Sequence, residues 1–253
     1  MRIASWNVNS IKVRLPQLTE WLKRAEPDIV CLQETKVTTE DFPFDPLGEL
    51  GYEAVAYGTG GYNGVAILSK FPINEPVEGF TGEEGHARLI EASIEGMQVF
   101  SVYVPNGASP EDEKFKYKLR FFKALRQHLA SVAKPTSELV IAGDFNVAPE
   151  ERDVWNPKIA AKYVGFHPLE HAALKELTSW GLKDSLRLHD QRAGQYSWWD
   201  YRTLGFQKDE GMRIDQIWLT EPLAKRCTAA SIDLWPRRLE KPSDHTPVIC
   251  EID

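Results

Sequence analysis

The sequence contains no long hydrophobic run. Among its 253 residues, no uninterrupted apolar segment approaches the ~18 residues that a membrane-spanning helix needs. The first residues of the chain become polar too early for a secretory signal peptide. These two absences exclude membrane-spanning and secreted proteins, and they predict a cytoplasmic protein that makes no contact with a membrane.

Cysteine is scarce, and basic charge is not in excess. The three cysteines, Cys31, Cys227 and Cys250, lack the Cys/His spacing of a zinc site, which is typical of a protein from a reducing compartment. The 30 Lys and Arg residues are outnumbered by 37 Asp and Glu residues, so the formal net charge is −7. Such a chain does not coat nucleic acid non-specifically, but a local basic face beside an acidic metal site remains compatible with it.

Short apolar runs rich in β-branched residues recur along the chain and predict buried strands. They occupy residues 3–6, 28–32, 64–68, 89–94, 99–104, 139–142, 214–219 and 248–252. Helical spacing of apolar residues is found in residues 15–25, 115–132 and 169–180, the last followed by Gly181. Because no linker or repeat divides the chain, the sequence predicts one α/β domain over residues 1–253, with layered sheets covered by helices.

Several predicted strands are followed by carboxylates, carboxamides or a histidine instead of ordinary turn residues. These residues are Asn7, Glu34, Asp144, Asn146, Asp215, Asp244 and His245. Any one of them alone is more often a turn or helix-cap residue. If the strands lie side by side, however, the carboxylates converge and raise one another's pKa unless a cation compensates them. Oxygen ligands of this kind favour Mg²⁺, with Mn²⁺ as a plausible substitute.

Six short motifs together resemble the exonuclease III family of Mg²⁺-dependent DNA repair nucleases, which includes the apurinic/apyrimidinic endonucleases. The motifs occupy residues 6–9, 32–36, 103–107, 143–146, 213–215 and 241–248, and they occur in the family's order. The resemblance covers essentially the whole chain. It implies a four-layer α/β sandwich with two central mixed β-sheets flanked by helices. It also implies hydrolysis of phosphodiester bonds 5′ to abasic sites and at the 3′ ends of duplex DNA, leaving a 3′-hydroxyl.

The resemblance also assigns roles to the metal and water sites. Glu34 is expected to be the principal Mg²⁺ ligand, helped by Asn9 and Asp244. Some family members have Asp where this chain has Asn9, so we expect one metal ion to be held comfortably. Asp144 is expected to orient or deprotonate the attacking water.

Five further residues are expected to act on the phosphate. By resemblance, Asn7 and Asn146 offer neutral amide donors to the phosphate oxygens, and His245 contacts the phosphate. Asp215 is expected to orient His245 and keep it protonated, because a carboxylate partner raises the pKa of histidine. Tyr103 adds a phenolic donor to the phosphate or the leaving group.

DNA recognition is expected from a loop and an apolar pocket. Gly61, Tyr62 and Asn63 belong to a glycine-rich loop that resembles a family loop along the phosphate backbone, and Asn106 is a further expected contact. A small pocket for a sugar that lacks its base is expected to be lined by Trp198, Met212 and Ile214, whereas Trp199 is expected in the core. A flipped normal nucleotide would fit such a pocket poorly.

Two features are left open by the sequence. The first is a run of basic residues at the start of the second predicted helix, which could contact DNA or form a solvated face: Lys114, Lys116, Lys118 and Arg120. The second is His167, which stands where relatives usually have an apolar residue. We expect the protein to be a monomer that binds double-stranded DNA with abasic sites or blocked 3′ ends.

Two other functions remain to be weighed against a repair nuclease. The scaffold also serves nonspecific deoxyribonucleases and inositol-phosphate or sphingolipid phosphatases, but these lack the combination of motifs at residues 32–36 and 241–248. A DNA-binding regulator on an inactive nuclease scaffold would have lost its metal and water-activating residues, whereas Glu34, Asp144 and His245 are all present.

Overall fold

Both ends of the chain lie in the first of two six-stranded sheets. The structure is a computed structural model, and it describes residues 1–83 and 85–253. The first sheet is built from β1 (Arg2–Asn7), β2 (Ile29–Gln33), β3 (Glu53–Tyr57), β4 (Val65–Ser69), β13 (Cys227–Ile232) and β14 (Val248–Ile252). Its strand order is β13-β14-β1-β2-β4-β3, and only the β1–β2 pair is parallel.

The second sheet is also mixed and has six strands. It consists of β5 (Asn74–Glu78), β6 (Leu89–Ile94), β7 (Met97–Tyr103), β8 (Leu139–Asp144), β9 (Leu182–Asp184) and β12 (Asp215–Thr220). The order is β5-β6-β7-β8-β12-β9, with β7 and β8 parallel. A separate two-stranded ribbon pairs β10 (Trp198–Trp199) with β11 (Gly211–Met212).

Helices cover the outer faces of the sheets. The α-helices are α1 (Ile11–Ala25), α2 (Phe44–Gly48), α3 (Glu113–Val132), α4 (Pro157–Ala160), α5 (Pro168–Thr178), α6 (Ser185–His189), α7 (Gly205–Lys208) and α8 (Glu221–Ala224). Short 3₁₀ turns occupy Glu151–Asp153, Tyr201–Thr203 and Pro236–Arg238. Among the described residues, no helix is both long enough and apolar enough to cross a membrane.

The hydrophobic core is divided into layers by the two sheets. One cluster lies between the sheets, where Ile29 and Cys31 of β2 share a core with Val140 of β8. A second packs α3 and α5 on the second sheet, and a third packs α1 on the first sheet through Trp21 and Leu22. The predicted four-layer sandwich of two mixed sheets flanked by helices is therefore confirmed. Central strands are apolar along their whole length because both of their faces are covered.

The sequence did not predict the strands at the sheet edges. β5 contains Pro76 and is exposed along its length, and β3 and β13 are also partly exposed. Edge strands bury little apolar surface, so they lack the signal that marks the central strands. The third predicted helix ends at Thr178, two residues earlier than the spacing indicated.

Strand pairing brings the polar strand ends to one edge of the sandwich. Asn7 is the partner of Gln33 in the parallel β1–β2 pair, so Glu34 follows directly beside it. In the second sheet, Tyr103 and Asp144 are partners at the ends of the parallel strands β7 and β8. Asp215 begins β12 opposite Asp144, because this pair is antiparallel.

Candidate active site

Three of the predicted site residues form one compact cluster. Glu34, Asp144 and His245 each offer a ligand atom, and these atoms lie within 4.8 Å of one another. Asp144 and His245 are buried, and Glu34 is partly exposed. The structure thus brings together residues that are far apart in the sequence, as expected from the ends of their strands.

Asn7 lies between the two carboxylates of this cluster. Its Nδ2 donates to Glu34 Oε1 at 2.9 Å and to Asp144 Oδ2 at 3.0 Å, and its side chain is fully buried. The Asn146 amide likewise donates to Val104 O at 2.9 Å and to Asp144 Oδ2 at 3.2 Å. These amides therefore hold the crowded carboxylates in place, because buried carboxylates need nearby donors. The contact of Asn7 and Asn146 with the phosphate stays a prediction.

His245 is held by a buried carboxylate. Its Nδ1 lies 2.8 Å from Asp215 Oδ2, and its Nε2 lies 3.8 Å from Asp144 Oδ2. Burial lowers the pKa of His245, but the charges of Asp215 and Asp144 overcome burial and raise the pKa to about 10. The imidazole is therefore a charged donor at neutral pH. Ser197, which sequence reasoning missed, donates from Oγ to Asp215 Oδ2 at 2.7 Å and fixes that carboxylate.

Asp144 has an unusual acidity for an aspartate. Burial raises its pKa, the positive charge of His245 lowers it, and the charges of Asp215 and Glu34 raise it again, so that it stands at about 7. Because the Asp144 and His245 charges interact strongly, the two groups titrate as a pair. A carboxyl with a pKa near neutrality is suited to accept a proton from water.

A second group of oxygen ligands adjoins Glu34. Asn9 Nδ2 donates to Asp244 Oδ1 at 2.8 Å, while Asn9 Oδ1 and Glu34 Oε2 both contact the Lys36 ammonium, at 2.5 and 2.8 Å. Asp244 also accepts from Trp198 Nε1 at 3.0 Å. A cation already bridges the Asn9 and Glu34 oxygens, so this oxygen set fits a hard divalent ion.

The backbone around these ligands is strained. Asn9, Glu34 and Lys36 have φ values of 45°, 49° and 57°, in the left-handed region that non-glycine residues rarely adopt. Residues held in this region cost about 1–3 kcal/mol each and cluster at functional sites. The strain here coincides with the carboxylate and amide ligands, which supports a functional site at this edge.

Tyr103 is placed over the same carboxylates. It is almost fully buried, and it lies close to the Glu34 and Asp144 carboxylates. Burial, with the charges of Glu34 and Asp144, raises the pKa of Tyr103 well above its usual value, so the phenol keeps its proton. Arg88, which the sequence did not indicate, lies 4.6 Å from the Tyr103 ring centre and donates to Tyr103 O at 3.2 Å.

A cavity of about 310 Å³ opens over the cluster. Its lining consists of Glu34, Tyr103, Asn106, Ala108, Asp144, Asn146, Val164, Gly165, Trp198, Arg202, Met212, Ile214, Asp244 and His245. Carboxylates form one end of the lining, and apolar side chains form the other. A larger surface groove of about 560 Å³ at Arg2 and Arg24 is lined by none of the clustered residues Glu34, Asp144 and His245. We therefore assign the site to the smaller cavity, because its lining contains the clustered carboxylates and the histidine.

Comparison with known proteins agrees with this geometry. The model of the endonuclease/exonuclease/phosphatase family matches residues 4–245. The chain belongs to this family. It is 35% identical to exodeoxyribonuclease III of Haemophilus influenzae, over 99% of each chain. The predicted resemblance to the exonuclease III family is therefore confirmed.

Two solved structures of the family are similar to the whole chain. An AP endonuclease from Archaeoglobus fulgidus superposes with a TM-score of 0.95 at 38% identity, covering 100% of this chain and 99% of that one. The 3′ phosphatase NExo from Neisseria, bound to a product DNA hairpin, has a TM-score of 0.95 at 36% identity, with coverage of 100% and 99%.

The apolar end of this family member's cavity is carried by the β10–β11 ribbon. Trp198 is the partner of Met212 in the ribbon, and a further bridge joins Trp198 to His245. Ile214 lies at the same end, so all three pocket residues expected from the sequence line the cavity. Trp199 is buried, as expected.

Four cavity residues were missed by sequence reasoning: Ala108, Val164, Gly165 and Arg202. Gly165 has a φ of +93°, and a Cβ on it would lie 3.1 Å from Met212 Cε. A glycine beside Phe166 carries no signal of its own in the sequence. Arg202 could have been found from its place directly after the aromatic segment at residues 196–201.

The glycine-rich loop of this family member lies beside the segment that carries Glu34 and Lys36, and Gly61, Tyr62 and Asn63 do not line the cavity. Asn63 O accepts from Lys36 N at 2.8 Å, and the Tyr62 side chain is exposed. Gly61, with a φ of +78°, adopts a backbone conformation that glycine tolerates and allows the turn just before Tyr62. Contact of these residues with DNA stays a prediction.

The structure corrects the expectation for the basic run of α3. Lys118 is fully buried and forms an ion pair with Glu170, so neither DNA contact nor a solvated position is possible for it. Phe115, Lys118, Phe122 and Leu125 follow one another at helical spacing on the buried face of α3. That spacing was the available signal. Lys116 is exposed and pairs with Glu113, while Lys114 and Arg120 are also exposed.

His167 has a structural position. Its Nδ1 accepts from Leu169 N at 3.2 Å, so it caps the N-terminus of α5. The ring packs edge-on against Phe115, with 5.2 Å between the centres. In the part of the chain that the structure describes, His167 is not one of the residues that line the cavity.

Proposed function

We propose that the protein is a Mg²⁺-dependent DNA repair nuclease of base excision repair. It hydrolyses phosphodiester bonds 5′ to abasic sites and removes 3′-blocking groups from duplex DNA, leaving a 3′-hydroxyl. The observation that supports this most is the cluster of Glu34, Asp144 and His245, which faces a cavity with an apolar end. Relatives named exodeoxyribonuclease III, AP endonuclease and 3′ phosphatase support the same activity.

The oxygen ligands around Glu34 would hold the metal ion. Glu34, Asn9 and Asp244 are the proposed ligands, and Lys36 would give up its place on the first two. When bound, Mg²⁺ or Mn²⁺ supplies a Lewis acid that neutralises charge developing on the phosphate. The neutral Asn9 limits the negative charge of the site, which favours a single ion.

Asp144 is the proposed base for the attacking water. Its Oδ2 is fixed by the amides of Asn7 and Asn146, so the carboxylate keeps one orientation. As water adds to phosphorus, Asp144 takes up one of its protons, and the bond between phosphorus and the leaving O3′ breaks. The departing O3′ takes a proton from solvent, so the products are a 3′-hydroxyl and a 5′-phosphate.

His245 and Tyr103 are the proposed donors to the phosphate. The charged imidazole donates from Nε2 to a phosphate oxygen, while Asp215 holds Nδ1. The protonated phenol of Tyr103 donates to the phosphate or to the leaving oxygen. Fixed donors of this kind stabilise the negative charge of the transition state more than that of the substrate.

The apolar end of the cavity is the proposed site for a sugar that lacks its base. Trp198, Met212 and Ile214 would contact such a sugar through their apolar side chains. The lesion is selected when it is extruded from the helix, because the free energy needed to unstack a damaged nucleotide is lower than that for an intact one. Asn106 and the loop residues Gly61, Tyr62 and Asn63 are the proposed contacts to the DNA backbone.

We further propose that the protein acts as a monomer, in the cytoplasm, with residues 1–253 as one domain. The three cysteines are free, which agrees with a reducing compartment. Light scattering during size-exclusion chromatography would give the mass of a 28.7 kDa monomer. A mass twice that value would contradict the monomer.

Cleavage of defined substrates tests the proposed function. A duplex with one tetrahydrofuran abasic analogue, a duplex with a 3′-phosphate, an undamaged duplex and an inositol phosphate are incubated with Mg²⁺ and then with EDTA. We expect incision 5′ to the analogue and release of the 3′-phosphate, both abolished by EDTA. Hydrolysis of the inositol phosphate in place of DNA, or no cleavage by folded protein, would contradict the proposal.

A further inference from the structure

A buried ammonium joins two loops that form walls of the cavity. Lys118 Nζ donates to Asn106 O at 3.1 Å and to Asn146 O at 2.7 Å, and it also contacts Glu170 Oε1. Asn106 follows β7 and Asn146 follows β8, and Asn106 Nδ2 also donates directly to Asn146 Oδ1 at 3.1 Å, so Lys118 reinforces a link between these two segments. Neither Lys118 nor Glu170 has any exposed surface.

The carboxylate of the same pair fixes a third wall. Glu170 Oε2 accepts from Gly165 N at 2.8 Å and from His167 N at 2.9 Å, at the start of α5. Gly165 lines the apolar end of the cavity and approaches Met212. The ion pair therefore links the phosphate side of the cavity to the wall beside the apolar pocket.

A charged pair is a costly way to fill a core. Replacing a buried ion pair by apolar side chains is often neutral or stabilising, so burial of Lys118 and Glu170 is weak evidence for a role in stability. The pair does satisfy four backbone groups from three different segments. An apolar pair of the same size would leave those carbonyl and amide groups without partners.

We propose that Lys118 and Glu170 are positioning residues that set the width of the cavity and thereby select a base-less sugar over an intact nucleotide. This inference rests on the proposed function. The pair does not touch the reacting atoms. It acts through Asn106, Asn146 and Gly165, whose positions decide how closely the phosphate side and the pocket wall face each other. Displacement of such groups by about 1 Å is enough to change recognition strongly.

The test measures selectivity separately from cleavage. Equilibrium binding of the full chain is measured in EDTA with two duplexes that differ only in one tetrahydrofuran site. The variants are Lys118→Met, Glu170→Gln and the double variant, which removes both charges and should fold even where a single variant does not. Lys116→Met is the matched control, because it removes a positive charge from the exposed face of the same helix. Leu129→Ala, buried in α3 but away from the cavity, controls for lost stability.

We expect the double variant to lose about 10-fold or more of the preference for the abasic duplex, through a weaker Kd for that duplex alone. In Mg²⁺, KM for the abasic duplex should rise more than kcat falls. Lys116→Met and Leu129→Ala should keep the wild-type preference. A double variant with wild-type preference would overturn the positioning role. If the wild-type protein itself shows no preference, the proposed function fails instead.

Discussion

At the scale of single residues, the carboxylates of the site are each held by a neutral or cationic neighbour. Asn7 bridges Glu34 and Asp144, and His245 bridges Asp144 and Asp215. Each carboxylate thus keeps one geometry although like charges lie close together. Substitutions at these positions should separate chemistry from binding, because the cavity walls are formed largely by other side chains.

Loss of either principal carboxylate should abolish turnover. We expect Glu34→Ala and Asp144→Asn to lower kcat by about 10³-fold or more, since one removes the proposed metal ligand and the other the proposed base. Single-turnover incision of an abasic duplex measures the effect, and Kd for the same duplex should stay within about threefold. Near-normal rates in either variant would show that its role has been assigned wrongly.

The charge on His245 should depend on Asp215. Because folding raises the pKa of His245 from 6.5 to about 10, the folded state holds a proton that the unfolded state has lost. Its contribution to stability is complete below pH 6.5 and disappears as the pH rises through 10. Asp215→Asn removes the carboxylate that most opposes burial, so the pKa should fall.

The pH profile of kcat/KM measures this change. In the wild-type protein we expect activity to fall on the alkaline side only near pH 10, and in Asp215→Asn at least about one unit lower. Asp190→Asn, at an exposed ion pair with Arg192, is the control and should leave the profile unchanged. An identical alkaline limb in Asp215→Asn would contradict the proposed coupling.

At the scale of elements, the sequence predicted the strands that are covered on both faces and missed the exposed strands at the sheet edges. Central strands such as β6 were predicted with their observed bounds, because coverage on both sides demands continuous apolar residues. The edge strand β5 gave no such signal. The site residues at strand ends were predictable from their chemistry. Gly165 and Ser197 were not, because their roles depend on contacts that only the fold creates.

A substitution at the start of α3 should change the stability of the protein and leave its activity unchanged. Asp112 caps this helix by accepting from Lys114 N at 2.8 Å, and it does not line the cavity. We expect Asp112→Ala to lower the free energy of unfolding by about 1 kcal/mol, because the first turn loses an acceptor. Urea denaturation measures the loss. Incision activity at 25 °C should stay at the wild-type level, and a large drop in kcat would show that the cap reaches the cavity.

At the scale of the whole molecule, metal binding should stabilise the fold. The Glu34, Asp144 and Asp215 carboxylates lie close together, so a bound cation relieves their repulsion in the folded state only. We expect millimolar Mg²⁺ to raise Tm and EDTA to reverse the shift. Glu34→Ala should abolish the response, while Glu113→Ala, which removes an exposed carboxylate, should not. A shift that survives in Glu34→Ala would place the ion elsewhere.

The pairing of Asp144 with Asp215 across neighbouring strands has a further consequence. Two acids opposite each other in an antiparallel pair weaken a sheet, and here both are buried. The second sheet is therefore less stable at the active site than it would be with neutral residues at these two positions. Asp144→Asn, which removes a carboxylate whose pKa the fold raises, should yield a protein that melts later than the native enzyme and yet is inactive, so a search for heat-resistant versions of this chain would tend to select inactive ones.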